Sequence, residues 1–192
     1  MIRMSDMEHR SAEELEAGFD DILQSPRDVG TLELIVCRPQ VDEREILEVG
    51  QLNAEIGLVG DNWRVRGSSS RPDRSANPNA QLTMMNSRAA ALVAGPKQRW
   101  ALAGDQLFLD LDLSDDHLPA GTRLSLGSAV IEITEDPHRG CAKFAARFGN
   151  AALRFVNTGV GMTLNLRGRH ARVVTSGEVK RGDPVRVLGE SG

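Results

Sequence analysis

Residues 106–134, with the sequence QLFLDLDLSDDHLPAGTRLSLGSAVIEIT, decide the fold of this chain. Apolar and polar side chains alternate in residues 106–113, 122–126 and 130–134, and this two-residue repeat is typical of β-strands with one buried face. Residues 127–129 contain a glycine and are few enough to form a tight connection between two of the strands. The simplest arrangement that the pattern predicts is a meander of antiparallel strands.

Further strands are predicted on both sides of this stretch. Residues 32–37 alternate as well, and the even-numbered residues are expected to form the buried face. Strands are also expected at residues 171–175 and 184–188, with glycine-containing turns between them. Many short strands joined by such turns favour a closed or nearly closed barrel, because closure removes exposed sheet edges. The predicted fold class is therefore mainly β with short α-helices, in a β-barrel-like domain.

An amphipathic helix is predicted before the first strand. Ser11 is a candidate N-cap, and Glu14 follows three residues later, which is the spacing of a capping box. Apolar residues then recur at helical intervals until residues 25–26, where a proline should end the helix. Because the apolar stripe is narrow, we divide the chain into an N-terminal helical appendage, residues 1–26, and a main domain, residues 27–192.

The main domain contains further helical segments and one long loop. Short helices are expected at residues 86–95 and, on either side of Gly149, at residues 142–148 and 151–156. Residues 67–81 are polar and contain two prolines, so an irregular loop is predicted there. Loops of this length are often functional, and Arg71 and Arg74 would allow this one to contact an anion.

Composition argues against several classes of protein. The 192 residues are 40% apolar and 26% charged, as in ordinary globular proteins, and the net charge is −4. No run approaches the roughly 18 apolar residues of a membrane helix. The first ten residues lack the basic-then-apolar order of a signal peptide, so we expect a cytoplasmic protein without a membrane partner. Tyrosine is absent and aromatic residues make up 4%, which argues against a nucleic-acid partner.

Cys141 is the candidate reactive residue. A strand precedes it, residues 135–140 (EDPHRG) predict a turn, and Cys141 stands where the next helix should begin. A helix N-terminus carries partial positive charge, and His138, Arg139 and Lys143 add basic groups nearby. This setting favours the thiolate, which attacks electrophiles and binds soft metals. The alternative is that Cys141 is a small buried hydrophobic residue.

Other catalytic patterns are weak or missing from the sequence. Cys37 lies in an apolar, alternating strand and is expected to be structural. The four histidines lack the HxxxH or HxH spacing of zinc hydrolases, and no GxSxG, P-loop or GxGxxG motif occurs. Carboxylate pairs such as Asp110 and Asp112 are explained by the polar face of a strand.

Five segments resemble a known family when they are taken in order. They are residues 57–63 (GLVGDNW), 81–86 (QLTMMN), 103–113 (AGDQLFLDLDL), 137–144 (PHRGCAKF) and 147–157 (RFGNAALRFVN). On these segments the chain resembles, from about Gly30 to Leu188, the MOSC domains, which are named for the C-terminal domain of molybdenum cofactor sulfurases. The resemblance implies a MOSC-type β-barrel-like domain with a key cysteine at the mouth of a pocket, and this cysteine corresponds to Cys141.

The resemblance also implies a cofactor. In the family, the cysteine is regarded either as a ligand of molybdenum in a pterin cofactor or as a carrier of sulfur, so Cys141 is the expected metal ligand and catalytic residue. The phosphate of such a cofactor needs positively charged or N–H-rich surroundings. Candidates for these contacts are Arg71, Arg74, Arg88, His138 and Lys143. Arg147 and Arg154 belong to a matching segment but are interpreted as solvated arginines on a helix.

Two functional hypotheses follow from the resemblance. In the first, the protein is an oxidoreductase that reduces N-hydroxylated small molecules at a molybdenum centre, with electrons from separate electron-transfer proteins. In the second, it is a non-catalytic module that receives the molybdenum cofactor, or a sulfur atom on Cys141 from a sulfur donor, and passes it on. A third interpretation is a barrel that has lost this site and binds another small anion.

Two further activities of the family are not expected from this chain. Pyridoxal phosphate is not expected as a cofactor, because no lysine lies in a recognisable Schiff-base context. Full sulfurase activity is not expected either, because the aminotransferase-like domain of the sulfurases has no counterpart in these 192 residues.

Overall fold

The computed structural model describes residues 9–189. Its strands are β1 (Val29–Cys37), β2 (Glu45–Leu47), β3 (Val49–Asn53), β4 (Gly57–Leu58), β5 (Leu82–Asn86), β6 (Leu107–Asp110), β7 (Arg123–Leu126), β8 (Ala129–Pro137), β9 (Arg169–Thr175), β10 (Gly177–Lys180) and β11 (Pro184–Leu188). Its helices are α1 (Ala12–Ala17), α2 (Phe19–Leu23), α3 (Trp63–Arg66), α4 (Ser87–Ala94), α5 (Ala142–Asn157) and α6 (Gly159–Thr163), with 3₁₀ turns at Pro78–Ala80 and Lys97–Ala103. None of the helices between residues 9 and 189 has the length and apolar character needed to cross a membrane.

Seven strands form a closed barrel in the order β11, β7, β8, β9, β5, β6 and β1. The barrel closes because β1 pairs with β11, with Val29 opposite Arg186 and Thr31 opposite Pro184. β5 and β6 are parallel, whereas the other neighbouring strands of the barrel are antiparallel. β2 extends the sheet beside β1, and β10, β3 and β4 form a separate three-stranded sheet. The predicted fold class, a mainly β, barrel-like domain with short helices, is confirmed.

The predicted meander is correct for one pair of strands and wrong for β6. β7 and β8 form an antiparallel hairpin, with Leu126 opposite Ala129. β6 instead pairs with β1 and, in parallel, with β5, and residues 111–113 lie outside the sheet. β10 is a strand where the sequence predicts only turns. Local alternation identifies a strand but carries no information about its partner, which here is set by closure of the barrel.

The side chains of β1 change faces at a β-bulge. Its register against β6 shifts between Leu32 and Leu34. Leu32 and Ile35 consequently join the cluster of apolar side chains inside the barrel, whereas Leu34 and Val36 join a second cluster under the helices. The prediction that even-numbered residues share one buried face is therefore wrong, because one extra residue in the ladder moves later side chains to the opposite face.

The helices cover one outer side of the barrel. The predicted capping box is present, because Ser11 Oγ accepts the Glu14 N–H at 3.2 Å and Glu14 Oε2 accepts the Ser11 N–H at 2.8 Å. The predicted single helix is interrupted at Gly18, which separates α1 from α2. Leu15 and Ile22 are buried in the cluster under the helices, together with Phe108 of β6.

Two other helices follow the sequence pattern closely. In α4, the side chain of Asn86 accepts the Ala89 N–H at 2.9 Å, and Gly95 ends the helix. In α5, Gly149 adopts a non-helical conformation with φ 90° and ψ 163°, a region that glycine enters without strain. The predicted division of this segment at Gly149 is confirmed as a kink between two helical pieces.

Candidate functional site

Cys141 is the N-cap residue of α5. It follows β8 after a short turn, has the extended φ and ψ of −121° and −179°, and its thiol makes no capping hydrogen bond. The side chain is exposed and is not part of a disulfide, whereas Cys37 is buried. The prediction that a helix begins at Cys141 is confirmed, and the alternative that this cysteine is a buried hydrophobic residue is wrong. A free thiol is therefore presented to solvent at the start of a helix.

Asn157 holds the turn before Cys141 in place. Its Oδ1 accepts the Gly140 N–H at 2.8 Å, and its Nδ2 donates to the Gly140 carbonyl at 3.0 Å. A Cβ atom on Gly140 would lie 2.7 Å from Leu153 Cδ1, so a larger residue there would require the Leu153 side chain to move. The last residue of α5 thus positions the residue next to the cysteine at its start.

A buried ion pair lies beside this turn, in a group of side chains that we call the Asp105 cluster: Asp105, His138, Arg167 and His170. Asp105 is fully buried, and its Oδ2 accepts a hydrogen bond of 2.7 Å from Arg167 Nη1. Arg167 Nη2 donates to the Ala103 carbonyl at 2.9 Å, and the guanidinium stacks 5.0 Å from the centre of the Phe144 ring. Since His138 and Phe144 flank Cys141 in the sequence, both sides of the cysteine segment contact this cluster.

The two histidines of the Asp105 cluster are stacked and desolvated. His138 Nδ1 lies 3.5 Å from Asp105 Oδ1, and the rings of His138 and His170 are 4.6 Å apart between centres. Burial, followed by the positive charge of Arg167, holds the pKa of His138 well below 6.5, and burial also lowers the pKa of His170. Burial raises the pKa of Asp105, and Arg167 opposes that rise. The cluster therefore pairs Asp105 with Arg167 beside two imidazoles whose charged form is disfavoured by burial.

Arginines surround the segment that precedes Asp105, and we call them the arginine group: Arg38, Arg44, Arg66 and Arg147. Arg38 binds Asp61 through Nε at 2.8 Å and Nη2 at 2.9 Å, and it donates to the Gly104 carbonyl at 3.0 Å. Burial lowers the pKa of Arg44, as do the charges of Arg147 and Arg38. Burial and the charge of Arg38 likewise lower the pKa of Arg66. Arg44 is half-buried and Arg66 is exposed, and the charge of Arg38 acts on both of them.

Lys143 and Arg147 connect α5 to the arginine group. Arg147 Nη1 donates to the Leu102 carbonyl at 2.7 Å, and its Nη2 lies 3.1 Å from Asp42 Oδ1. Lys143 Nζ contacts the same carboxylate oxygen at 3.2 Å. Asp42 is exposed, so the pairs it forms are screened by solvent and contribute little to stability. Arg147, which the sequence analysis interprets as solvated, in fact packs against the 102–105 segment.

Unpartnered polar atoms mark the same region. Among the described residues, six buried side-chain nitrogen or oxygen atoms have no hydrogen-bond partner. Three of them belong to the Asp105 cluster: Asp105 Oδ1, His138 Nδ1 and Arg167 Nε. Two more are Arg44 Nε of the arginine group and Asn62 Oδ1, next to Asp61. Because buried polar groups are normally paired, such a concentration indicates a place where a ligand or ordered water completes the hydrogen bonds.

A cleft opens next to His138. It has a volume of about 560 Å³ and is lined by His138 and Arg139 from the turn, by Asp136 at the end of β8, and by Asp115, Met162 and Arg169. Arg169 is paired with Asp115 at 2.6 Å, and Asp136 accepts hydrogen bonds from Asn77 and Asn79. His138 therefore lies between the buried Asp105 and an open, mostly polar cleft.

The structure brings together only some of the residues named from sequence. Cys141, His138 and Lys143 belong to one segment and lie beside the Asp105 cluster and the arginine group. Arg71 and Arg74 are exposed, and the Arg71 Nε donates to Ser75 within its own loop. Their loop folds back on itself, since Ser68 N–H is bonded to the carbonyls of Arg74 and Ser75.

Arg88 lies away from the other candidates. It projects from α4 and binds Asp110 through Nε at 2.7 Å and the Asp21 carbonyl at 3.0 Å. Asp110 ends β6, whereas Asp105 precedes the start of that strand, and five residues of extended chain span roughly 16 Å. Arg88 therefore joins α2, α4 and β6, and we leave it out of the candidate site.

Sequence reasoning missed Asp105, Arg167, Arg38, Arg44 and Arg66. Asp105 does lie in a segment that carries the family resemblance, but its charge is matched by an arginine 62 residues later, and no spacing rule predicts that pair. The arginines follow strands or lie in short connections, where an isolated arginine is usually solvated. Most of these arginines are far apart in the sequence from the acidic residues Asp61 and Asp105 that they surround. Their proximity becomes visible only in the folded chain.

Comparisons with known proteins agree with this architecture. The sequence model of the MOSC domain family matches residues 75–186, a range that contains Cys141, Asp105, His138 and Arg167. No curated protein is significantly similar in sequence. The fold is similar to that of the YuaD protein from Bacillus subtilis, with a TM-score of 0.61 at 17% identity, covering 83% of this chain and 95% of YuaD.

YiiM proteins have a similar fold. For YiiM from Escherichia coli the TM-score is 0.54 at 16% identity, covering 84% of this chain and 71% of YiiM. For YiiM from Geobacillus stearothermophilus it is 0.52 at 14% identity, covering 83% and 75%. Identities this low establish the fold alone, whereas the family match extends over more than half of the chain and includes the cysteine segment. The chain belongs to the MOSC domain family.

Proposed function

We propose that this protein binds molybdenum cofactor through Cys141 and uses it to reduce N-hydroxylated small molecules, with electrons from separate electron-transfer proteins. The observation that carries the proposal is an exposed thiol in a segment whose residues His138 and Phe144 contact the Asp105 cluster. Three of the unpartnered buried polar atoms belong to that cluster. The MOSC family match supports the choice of cofactor.

The residues present fit the chemistry of the cofactor. A thiolate is a suitable ligand for a soft metal, and Cys141 carries the exposed cysteine thiol of the described chain. Burial and neighbouring positive charges, among them that of Arg38, lower the pKa values of Arg44 and Arg66, and an anionic phosphate would offset this repulsion. The unpartnered atoms include donors, such as Arg44 Nε, and acceptors, such as Asn62 Oδ1, which suits a pterin with both kinds of group.

Each group of residues has a distinct part in this function. Arg38 is held rigid by Asp61, so its charge would be fixed in space before the ligand arrives. Asn157 fixes the turn before Cys141, which limits the positions that the thiol can reach. When bound, the cofactor would supply the two electrons of the reduction, and the protein supplies orientation and electrostatics.

Metal analysis tests the cofactor assignment. The protein is produced with molybdate, purified without oxygen, and analysed for molybdenum as wild type, Cys141→Ala and Cys37→Ala. We expect near-stoichiometric molybdenum in wild type and Cys37→Ala and its loss in Cys141→Ala. Metal retained equally in Cys141→Ala would contradict the role of that cysteine, and metal missing from all three proteins, while a control molybdoenzyme is loaded in the same host, would contradict cofactor binding.

A second test concerns the cofactor phosphate. Arg44→Gln removes a half-buried cation of the arginine group, and Arg66→Gln removes an exposed one on which the charge of Arg38 acts. Arg71→Gln is the matched control, because it removes an exposed arginine that bonds within its own loop. We expect at least a fivefold loss of bound molybdenum in the first two variants and no loss in the control. Equal loading of all three variants would exclude the arginine group as the phosphate site.

A sulfur-carrier function is the second candidate, and the exposed thiol at the start of α5 is the observation that favours it. In this function Cys141 would hold a persulfide and pass the sulfur on without turnover. Incubation with a cysteine desulfurase and cysteine should then add 32 Da, the mass of one sulfur atom, to the peptide that contains Cys141 and none to the peptide that contains Cys37. An unmodified Cys141 under conditions that label a known sulfur carrier would exclude this function.

A further inference from the structure

His138 faces a buried carboxylate on one side and an open cleft on the other. On one side its Nδ1 faces Asp105 Oδ1 at 3.5 Å, and neither atom has a hydrogen-bond partner. The same residue lines the 560 Å³ cleft, and 13% of its side chain is exposed. A carboxylate that faces one imidazole nitrogen fixes the ring orientation and leaves the other nitrogen for chemistry, and such contacts are commonly long when no ligand is bound.

The charges around His138 keep it neutral in the free protein. The acidic groups that face it are Asp105 on the buried side and Asp115, Asp116, Glu135 and Asp136 in the cleft. The basic groups are Arg167, His170, Arg38, Arg139 and Arg169. Because burial and these positive charges hold the pKa of His138 well below 6.5, its imidazole is neutral at pH 7. An anion that binds beside Arg38 and Arg167 would offset the repulsion and favour the imidazolium, with Asp105 available as its partner.

We propose that His138 is the proton donor of the reduction, that anion binding at the arginine group charges it, and that Asp105 is its positioning residue. The proposal rests on the proposed function and gives His138, which is also a candidate contact of the cofactor phosphate, a role in the reaction itself. The cleft gives the imidazole a route to solvent protons, and on the buried side Asp105 Oδ1 faces Nδ1 at 3.5 Å.

The proton balance of the reaction requires such a group. Reduction of R–NH–OH to R–NH₂ and water consumes two electrons and two protons. As the N–O bond breaks, the imidazolium of His138 gives its proton to the hydroxyl oxygen, which leaves as water, and the two electrons from the reductant remain on nitrogen. Solvent in the cleft supplies the second proton to nitrogen and then protonates His138 again.

The first experiment uses the metal-free protein and pyrophosphate as the anionic probe. Calorimetric titrations at pH 6.5 in two buffers of different ionisation enthalpy give the number of protons taken up per bound anion. We expect uptake of more than half a proton in wild type and less than a fifth of that uptake in His138→Gln. The matched control is His117→Gln, because His117 is also largely buried but bonds to the Asp112 carbonyl, and it should behave as wild type.

The second experiment uses the molybdenum-loaded protein with reduced methyl viologen as electron donor and N-phenylhydroxylamine as substrate. General acid catalysis contributes about 100-fold or more to rate, so kcat should fall by about that factor in His138→Gln while KM changes less than threefold. In the pH profile of kcat, the decrease at high pH that reports loss of a protonated group should disappear. In Asp105→Asn, kcat should fall about tenfold and the decrease at high pH should move to lower pH, because the imidazolium loses its carboxylate partner.

The outcomes separate this inference from the proposed function. An active wild type whose pH profile and kcat are unchanged in His138→Gln overturns the role of His138 and leaves the reaction in place. A loaded wild type that reduces none of several N-hydroxylated compounds overturns the reaction and, with it, the proton donor. Proton uptake that persists in His138→Gln shows that another group is charged by anion binding, and this also overturns the inference.

Discussion

The two cysteines differ because of what surrounds each thiol. Cys37 is 3% exposed inside the barrel, and burial, together with the negative charge of Asp61, raises its pKa to about 11. Cys141 is exposed at the start of α5. The thiol of Cys37 is therefore unreactive, because only the ionised form is a nucleophile or ligand, whereas the thiol of Cys141 is accessible to a reagent.

We predict that a thiol reagent distinguishes the two cysteines in the native protein. At pH 8 about 0.1% of Cys37 would be ionised, given its raised pKa, and the reagent must also reach the barrel interior. Iodoacetamide should therefore label one thiol in the folded protein and two in urea, as measured by intact mass. Labelling of folded Cys141→Ala at a rate close to that of wild type would contradict the prediction.

The histidines of the Asp105 cluster should make stability depend on pH. His138 and His170 have lowered pKa values in the folded protein, so the unfolded chain binds their protons first as the pH falls below 6.5. Each imidazole then removes about 1.4 kcal/mol of stability per pH unit until its folded pKa is reached. The raised pKa of Asp105 acts in the opposite direction at pH values above 3.8, so the net loss is smaller than the sum.

Urea unfolding between pH 7.5 and 5.5 measures this dependence. Wild type should lose stability as the pH falls, and His138→Gln should show a shallower slope because it has one imidazole fewer to protonate on unfolding. His117→Gln is the control. Equal slopes in wild type and His138→Gln would mean that His138 has nearly the same proton affinity in the folded and unfolded states.

At the scale of the element, α5 joins the core to the candidate site. Its inner face buries Phe144 and Phe148 under the helices, Cys141 precedes its first turn, and Asn157 at its last turn bonds back to Gly140. The kink at Gly149 separates two helical pieces within this one element. The position of the thiol thus depends on both ends of the helix.

We predict that Asn157→Ala loosens the turn before Cys141 without unfolding the protein. The change removes two hydrogen bonds to Gly140, each with a net worth of about 1 kcal/mol. Hydrogen exchange of the peptide that contains residues 138–141 should accelerate at least tenfold. Thr158→Ala is a suitable control, because Thr158 bonds only to the Arg154 carbonyl of its own helix. Unchanged exchange in Asn157→Ala would show that the turn is held by other contacts.

At the scale of the whole molecule, the two apolar clusters share the same strands. Leu32 and Ile35 of β1 point into the barrel, whereas Leu34 and Val36 point under the helices. Leu15 and Ile22, from the segment predicted as an appendage, are buried in the second cluster. The helical layer and the barrel are therefore expected to unfold together, since neither cluster is complete without the shared strands.

We predict that deletion of residues 1–26 destabilises the whole domain. It exposes the side chains against which Leu15 and Ile22 pack, and each of these residues contributes about 1.5–3 kcal/mol by burial. The melting temperature should fall by roughly 10 °C or more, with circular dichroism and tryptophan fluorescence changing together. An unaltered melting temperature would show that residues 1–26 do not stabilise the main domain.

The sequence by itself determined the local features of this protein. Alternation identified most barrel strands, Asn86 and Gly95 bounded α4, and the family segments with the lone cysteine indicated the MOSC fold and Cys141. These features depend on neighbours within a few residues, and periodicity, capping and turn chemistry act over that range.

Only the tertiary structure decided how the strands pair and which charges meet. The bulge in β1 reverses its buried face, and the partners of β6 come from barrel closure. Asp105 meets Arg167 across 62 residues, and Arg88, named as a candidate from sequence, is bound elsewhere by Asp110. The physical reason is that a charged side chain acts on whatever lies within a few ångströms, and that distance is set by register and closure rather than by spacing along the chain.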